Sequence, residues 1–236
     1  MKIKSAKKFG KKFHYKWSTH QPVISTMMEI LKPELIIELG TGRYSSPGLI
    51  SSTSALKTIH IDNDAEWIRL IQEENSHLIT EKNEFRVHDV LSLGITSLKT
   101  LPSMLTLEQK TFIDQYHNNL AEEIKKMNFK SSMIFTDGFA ACRKSSVDLL
   151  TGVSDSLIFH DAEKPQAYGY DNLNKDLYNT HDEYLLKTAT SYTGFFVRKG
   201  IISFEDLNTI MNKHINVYIK NLDISKDKFE LIVMSK

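Results

Sequence analysis

Residues 35–46 read LIIELGTGRYSS, and this stretch decides the fold. An apolar run that carries one acid, Glu38, is followed by the turn Gly40-Thr41-Gly42. Ser45 or Ser46 can then cap a helix, with Pro47 in its first turn. A buried strand, a glycine turn and a helix start are the layout of a nucleotide-type pocket at the carboxyl end of a first parallel strand.

A second acid lies at the spacing that such a pocket needs. Asp62 ends another apolar run, about 22 residues after the glycine turn, as expected of an acid that binds a ribose. A dinucleotide site prefers a third glycine where this chain has Ser45, and Glu38 would repel phosphates. The sequence therefore argues against NAD and FAD and favours a different nucleotide-like cofactor.

The rest of the chain alternates between strand and helix patterns. Besides the first strand, strands are predicted at 57–62, 85–90, 132–138, 155–161, 194–198 and 229–234. Helices are predicted from Pro22 to Leu31, after Ser45, at 65–74, along 112–127 and at 204–214. This alternation predicts an α/β fold, with a Rossmann-like, seven-stranded, mostly parallel sheet and helices on both faces.

The predicted domain organisation is simple. Residues 1–17 hold seven lysines and no acid, which predicts a basic arm, and 18–236 form a single domain. Residues 91–130 contain no clear strand and are interpreted as a helical insertion.

Composition excludes several classes of protein. The 236 residues carry a formal net charge of +1, which makes nucleic acid an unlikely partner. One cysteine, Cys142, rules out an internal disulfide framework, and no run approaches the roughly 20 apolar residues of a membrane span. A cytoplasmic protein is the default expectation, and a homo-oligomer is compatible with the sequence.

The two acidic motifs resemble those of one enzyme family. ELGTG at 38–42 with the two serines is similar to the first motif of class I S-adenosylmethionine-dependent methyltransferases, and IDNDAEW at 61–67 resembles the second. The resemblance implies that Glu38 lies near the methionine end of the cofactor, that Asp62 binds the ribose and that Asp89 lies near the adenine. The full set of implied cofactor-binding residues is Glu38, Gly40, Thr41, Gly42, Ser45, Asp62, Asn63, Asp89 and Asp137.

Two later motifs resemble O-methyltransferases. FTDGF at 135–139, followed by Arg143, is similar to the fourth-strand motif of small-molecule and sugar O-methyltransferases. LIFHDAE at 157–163 resembles the fifth-strand end of glucuronic-acid O-methyltransferases. The implied catalytic residues are Asp137, His160 and Asp161, with His160 or Asp137 as general base or His160 only orienting Asp161. The predicted substrate contacts are Arg143, Glu163 and Tyr168.

A divalent metal is a further expectation from the resemblance. Catechol-type O-methyltransferases hold magnesium with acids at the ends of the fourth and fifth strands, where this chain has Asp137 and Asp161. Ala162 replaces the asparagine of that family, which leaves the third ligand unassigned. The histidines other than His160 show no metal-ligand spacing along the chain.

The leading functional hypothesis is methyl transfer from S-adenosylmethionine to an oxygen of a sugar, a uronic acid or another small hydroxylated acceptor. The alternatives are a nucleic-acid methyltransferase that uses the basic arm, aminopropyl transfer on the same fold, and a non-catalytic binding subunit. No Asn-Pro-Pro-Tyr type segment follows the fourth strand, which argues against methylation of a base amino group.

Overall fold

The computed structural model describes residues 18–95, 100–188, 190–222 and 229–234, so the predicted arm at 1–17 lies outside the described residues. The described strands are β1 Leu35–Leu39, β2 Lys57–Asp62, β3 Asn83–Val87, β4 Ser132–Thr136, β5 Ser156–His160, β6 His181–Lys187, β7 Thr193–Arg198 and β8 Glu230–Met234. The α-helices are α1 Gln21–Leu31, α2 Ser46–Ile50, α3 Ala65–Glu74, α4 Leu107–Met127, α5 Ala140–Leu150, α6 Pro165–Tyr168, α7 Leu177–Thr180 and α8 Phe204–Leu222.

All eight strands form one sheet in the order β3-β2-β1-β4-β5-β7-β6-β8. Strands β1 to β5 are parallel neighbours, whereas β7 is antiparallel to both β5 and β6, and β8 is antiparallel to β6. The strand order reverses at β1, because the chain crosses from β3 on one side of β1 to β4 on its other side. Ligands of open α/β sheets bind outside the carboxyl ends of the strands at such a reversal.

Alternate residues of the central strands build a core on each face of the sheet. Along β4, Met133 and Phe135 face one core together with α1 and α8, while Ile134 faces the other core together with α4 and α5. The strands are buried on both faces, as in parallel sheets that are covered by helices. The predicted Rossmann-like α/β class is confirmed.

The strand count differs from the prediction. Seven strands were predicted, and the additional strand is β6, which pairs with β7 and β8 in the antiparallel part of the sheet. Asp182, Glu183 and Lys187 interrupt the apolar pattern of β6, and Tyr184 and Leu186 alone carry its buried apolar positions. Strand β3 also begins two residues earlier than predicted and ends at Val87.

The predicted helical segment between β3 and β4 contains α4. This helix of 21 residues begins with a capping box, in which the Thr106 hydroxyl accepts from the Gln109 backbone N–H and the Gln109 side chain accepts from the Thr106 N–H. Leu120 and Ile124 pack on the sheet, and Ile113 belongs to a smaller cluster with Phe139 and Cys142. The long helix therefore covers the sheet and also reaches the end of β4.

No helix in the described part of the chain is both long enough and apolar enough to span a membrane.

Candidate active site

The glycine turn after β1 packs directly on the end of β4. Gly40 has a φ of +92°, and a Cβ at this position would lie 2.2 Å from the Gly138 nitrogen. The Asp137 N–H donates to the Leu39 carbonyl at 2.8 Å, which joins the two strand ends. Glycine is required here both for the backbone conformation and for the close approach.

Glu38 stabilises this turn through hydrogen bonds. Its carboxylate is fully buried and accepts hydrogen bonds from the Ser45 hydroxyl at 2.5 Å and the Ser46 hydroxyl at 2.8 Å. The His60 Nδ1 lies 2.7 Å from the same carboxylate, and Ser46 also accepts from the Gly42 N–H. The described protein groups therefore satisfy Glu38, which holds the turn and the start of α2 together.

Asp62 closes the other side of the turn. Its Oδ2 accepts from the Thr41 N–H at 2.8 Å and the Thr41 hydroxyl at 3.2 Å, and its Oδ1 accepts from the N–H groups of Asn63 and Asp64. Burial raises the pKa of Asp62, and these hydrogen bonds act in the opposite direction. The Thr41 hydroxyl occupies an acceptor position that a ligand hydroxyl can take by displacing it.

A small pocket, partly open to solvent, lies between these strand ends. Gly40, Asp62, Asn63 and Gly138 contribute to its wall, together with Leu39, Ile61, His88, His117, Thr136, Phe139, Cys142 and Ser146. It combines apolar walls with a few polar groups, as small-molecule sites do. Three of the residues predicted to bind the cofactor, Gly40, Asp62 and Asn63, therefore line this pocket.

Asp89, which the sequence places near an adenine, does not line this pocket. It is exposed, and its carboxylate accepts from the Ser92 N–H in the turn that follows β3. The neighbouring His88 lines the pocket instead, with its ring stacked on Tyr116 at a centroid distance of 3.6 Å. Neither His88 nor His117 was predicted from the sequence to belong to the site.

The ends of β4 and β5 carry a partly buried ionic cluster. Arg143 from α5 bridges the two predicted catalytic acids, at 2.8 Å to Asp137 Oδ1 and 2.8 Å to Asp161 Oδ2. It also donates to the carbonyls of Gly138, His160 and Asp137. The five N–H groups of a guanidinium match these five acceptors, so Arg143 holds the cluster together through hydrogen bonds.

His160 lies between the two acids. Its Nδ1 is 3.4 Å from Asp137 Oδ1 and 3.5 Å from Asp161 Oδ1, and its Nε2 contacts the hydroxyls of Thr19 and Ser191. Burial lowers the pKa of His160, but the two carboxylates outweigh burial and raise it above its usual value. Burial likewise opposes ionisation of Asp137, yet His160 and Arg143 lower its pKa to about 2.

The segment after β5 holds the remaining predicted residues. Asp161 has a φ of +58°, an uncommon conformation for a residue other than glycine, of the kind found at functional sites. The Tyr168 ring lies 4.6 Å from the Arg143 guanidinium carbon, and its hydroxyl donates to Asp161. Glu163 accepts from the Tyr192 N–H and thereby fastens the loop before β7.

The pair Asp137 and Asp161 does not fit a shared magnesium ion in this arrangement. Arg143 donates to both carboxylates, so its positive charge lies where a cation bridging the two acids would have to be. A different side chain reaches the cluster. His20, at the start of α1, offers a donor atom within 4.8 Å of those of Asp137 and His160. Spacing along the sequence gave no signal for this contact, because the residues come from three separate elements.

The strand order and the glycine turn define a Rossmann-like α/β protein, and the strand-end acids lie at the carboxyl edge of its sheet. No family model and no curated protein matches the sequence. Among solved structures, the chain is similar to an O-methyltransferase from Bacillus cereus in complex with SAH, at 12% identity and a TM-score of 0.48, over 76% of this chain and 81% of that one.

Two other solved structures show a comparable likeness. An rRNA methylase from Streptococcus thermophilus is 12% identical with a TM-score of 0.46, over 77% of this chain and 96% of that one. Spermidine synthase from Thermotoga maritima is 12% identical with a TM-score of 0.45, over 89% of this chain and 75% of that one. At this level the likeness leaves the substrate open.

Proposed function

We propose that this protein is an S-adenosylmethionine-dependent methyltransferase that acts on the hydroxyl of a sugar or another small hydroxylated acceptor. The observation that carries the proposal is the juxtaposition of Asp62 and the Gly40 turn in one pocket, with the Asp137–His160–Asp161 cluster at the neighbouring strand ends. The motif resemblance supports the same cofactor.

The cofactor would bind across the carboxyl end of β1. Asp62 accepts the ribose hydroxyls, the first of which displaces the Thr41 hydroxyl from Oδ2. Glu38 acts through Ser45 and Ser46, because it holds the turn in place and is itself fully buried. The pocket wall near His88 accommodates the base, and Asp89 acts only in the turn after β3.

Methyl transfer requires an acceptor oxygen in line with the sulfonium and a group that removes its proton. The acids and the imidazole of the Asp137–His160–Asp161 cluster provide that proton acceptor. The sulfonium supplies the reactivity, and the chain contributes orientation and charge.

We assign Arg143 a positioning role in place of the predicted substrate contact. Its N–H groups all have acceptors within the cluster, so it has no free donor for the carboxylate of a uronate. Tyr168, which is partly exposed above the guanidinium, remains the proposed substrate contact. A neutral sugar or another uncharged hydroxylated acceptor therefore suits the site better than a uronate.

Binding of S-adenosylmethionine and of its demethylated product S-adenosylhomocysteine tests the cofactor assignment. Isothermal titration of the full chain should detect both ligands, and Asp62→Asn should weaken them about 10- to 100-fold, the loss expected for hydrogen bonds to a charged group. Asp64→Asn is the matched control. It removes one charge two residues away, while asparagine still caps α3. Absence of binding by either ligand would overturn the proposal.

Activity tests the acceptor class. Methyl transfer from labelled S-adenosylmethionine should appear with sugars or other small hydroxylated acceptors and fall strongly in Asp137→Asn and His160→Ala. Transfer confined to RNA or DNA would reject the small-molecule acceptor. Unchanged turnover in both variants would reject the catalytic cluster even if the cofactor binds.

A further inference from the structure

His20 is a buried polar side chain without a partner. It is 2% exposed, and neither ring nitrogen has a hydrogen-bond partner among the described residues. It stands at the N-cap of α1, where a side chain usually bonds to the first turn, yet it makes no cap hydrogen bond. Leaving such a group unsatisfied is unfavourable, so its position needs an explanation.

The ring of His20 lies against the catalytic cluster. Its centroid is 5.1 Å from that of His160 in an edge-on arrangement and 4.8 Å from that of Phe135. One donor atom each from His20, Asp137 and His160 lies within 4.8 Å of the other two. Two imidazoles and one carboxylate therefore converge on one point from the start of α1 and the ends of β4 and β5.

The three side chains present nitrogen and oxygen atoms of the kind that coordinate metal ions. Neither ring nitrogen of His20 has a hydrogen-bond partner among the described residues, so its imidazole can offer a lone pair to an ion. Arg143 and His160 both contact Oδ1 of Asp137, and Oδ2 makes no hydrogen bond to the described residues. His160 turns its Nδ1 towards this carboxylate, while Thr19 and Ser191 hold its Nε2.

We propose that His20, Asp137 and His160 bind a divalent transition-metal ion of the Zn²⁺ or Co²⁺ type. Imidazole ligands suit these ions, whereas Mg²⁺ prefers oxygen ligands. Two ligands of one ion at about 2.1 Å are at most about 4.2 Å apart, so any donor atoms that lie as far apart as 4.8 Å must move together when the ion binds. The Thr19 and Ser191 hydroxyls orient the distal nitrogen of His160, as partners of metal-bound histidines do.

The consequence for catalysis rests on the proposed methyltransferase function. Three protein ligands leave a position open for the acceptor hydroxyl, and a bound ion lowers the pKa of that hydroxyl. Asp161, which is not a ligand, takes the proton as the O–H bond breaks. The oxygen then bonds to the methyl carbon, and the electrons of the broken C–S bond stay on sulfur, which becomes a neutral thioether.

Metal titration of the untagged full chain, stripped with a chelator, tests the site without any turnover. We expect one equivalent of Co²⁺ or Zn²⁺ per chain by calorimetry, no comparable binding of Mg²⁺, and Co²⁺ absorption bands typical of nitrogen and oxygen ligands. His20→Gln should weaken binding by at least about 10- to 100-fold, the loss already seen when only an outer partner is removed. His77→Gln, at an exposed histidine, should leave it unchanged.

The outcomes separate this inference from the function on which it builds. Failure of the wild-type chain to bind one transition-metal ion, or equal binding by His20→Gln, overturns the metal site even when S-adenosylhomocysteine binds. Metal binding without S-adenosylhomocysteine binding would support the metal site and reject the proposed methyltransferase function. Circular dichroism checks the fold of His20→Gln. If His20→Gln does not fold, the same metal titration of Asp137→Asn tests the site instead.

Discussion

Gly40 carries a constraint that no other residue can meet without moving the backbone. Its φ of +92° is a conformation that side chains rarely adopt, and its Cα approaches the Gly138 backbone. The contact joins the first strand end, where the cofactor is proposed to bind, to the fourth strand end, which carries Asp137. A single residue therefore sets the spacing between the two halves of the site.

Gly40→Ala should destabilise the protein by about 2–5 kcal/mol, because the left-handed conformation and the overlap with Gly138 both add to the cost. Gly94→Ala is the control. Gly94 also has a positive φ, of +76°, but no atom lies within 4 Å of the added Cβ, so a loss of about 1–2 kcal/mol is expected. Urea unfolding measures both variants. Equal losses would show that the contact with Gly138 contributes nothing.

At the scale of elements, the antiparallel end of the sheet depends on a large residue opposite a small one. Phe159 of β5 is paired with Gly194 of β7, and a Cβ on Gly194 would lie 2.1 Å from the Phe159 ring. The ring fills the space above the glycine and contacts Tyr170 and Phe196. This packing locks β7 beside the strand that carries His160.

Gly194→Ala should therefore cost about 1–3 kcal/mol through overpacking. Phe159→Leu replaces the ring with a smaller side chain and makes room for the new Cβ. The destabilisation of the double variant Phe159→Leu/Gly194→Ala should therefore be smaller than the sum of the two single effects by about 0.5–3 kcal/mol. A double-mutant cycle by chemical denaturation measures this coupling. Gly152→Ala, where the added Cβ meets no atom within 4 Å, should combine additively with Phe159→Leu. Additivity at Gly194 as well would contradict the packing argument.

At the scale of the whole molecule, the fold buries the imidazoles of His88 and His117 in their neutral form. Burial and the nearby His88 lower the pKa of His117 to about 3, and burial lowers that of His88 to about 4. His117 Nδ1 donates to the Ser145 hydroxyl, which donates to Asp114. Protonating such a ring inside the core is unfavourable, so the free energy of unfolding of the whole protein decreases at acid pH.

His117 should make stability fall as the pH drops below about 6.5, since the unfolded chain then binds a proton that the folded chain does not. The slope from this residue is at most about 1.4 kcal/mol per pH unit and ends near the folded-state pKa. His117→Asn should lower the dependence of the unfolding free energy on pH between 7 and about 4.5. His77→Asn, at an exposed position, should reproduce the wild-type slope, and parallel curves for all three proteins would refute the prediction.

The sequence predicts the elements better than the contacts among them. Apolar runs that end in Glu38-Leu39-Gly40, Asp62 and Asp137 gave the parallel strands, because buried strands are continuous apolar segments bounded by turns. Strand β6 was missed, since four of its seven positions are charged or polar and its partners β7 and β8 lie later in the chain. Local pattern carries no information about such late pairing.

The glycine turn and the acid of Asp62 were determined by the sequence alone, because the turn needs glycine locally and the strand places the acid at a known distance along the chain. Only the tertiary structure decided the surroundings of Arg143 and His20. Arg143 contacts two acids that the sequence separates by 24 residues, and His20, from the start of α1, lies beside Asp137 and His160. These contacts depend on how the helices pack against the carboxyl edge of the sheet, which no local pattern encodes.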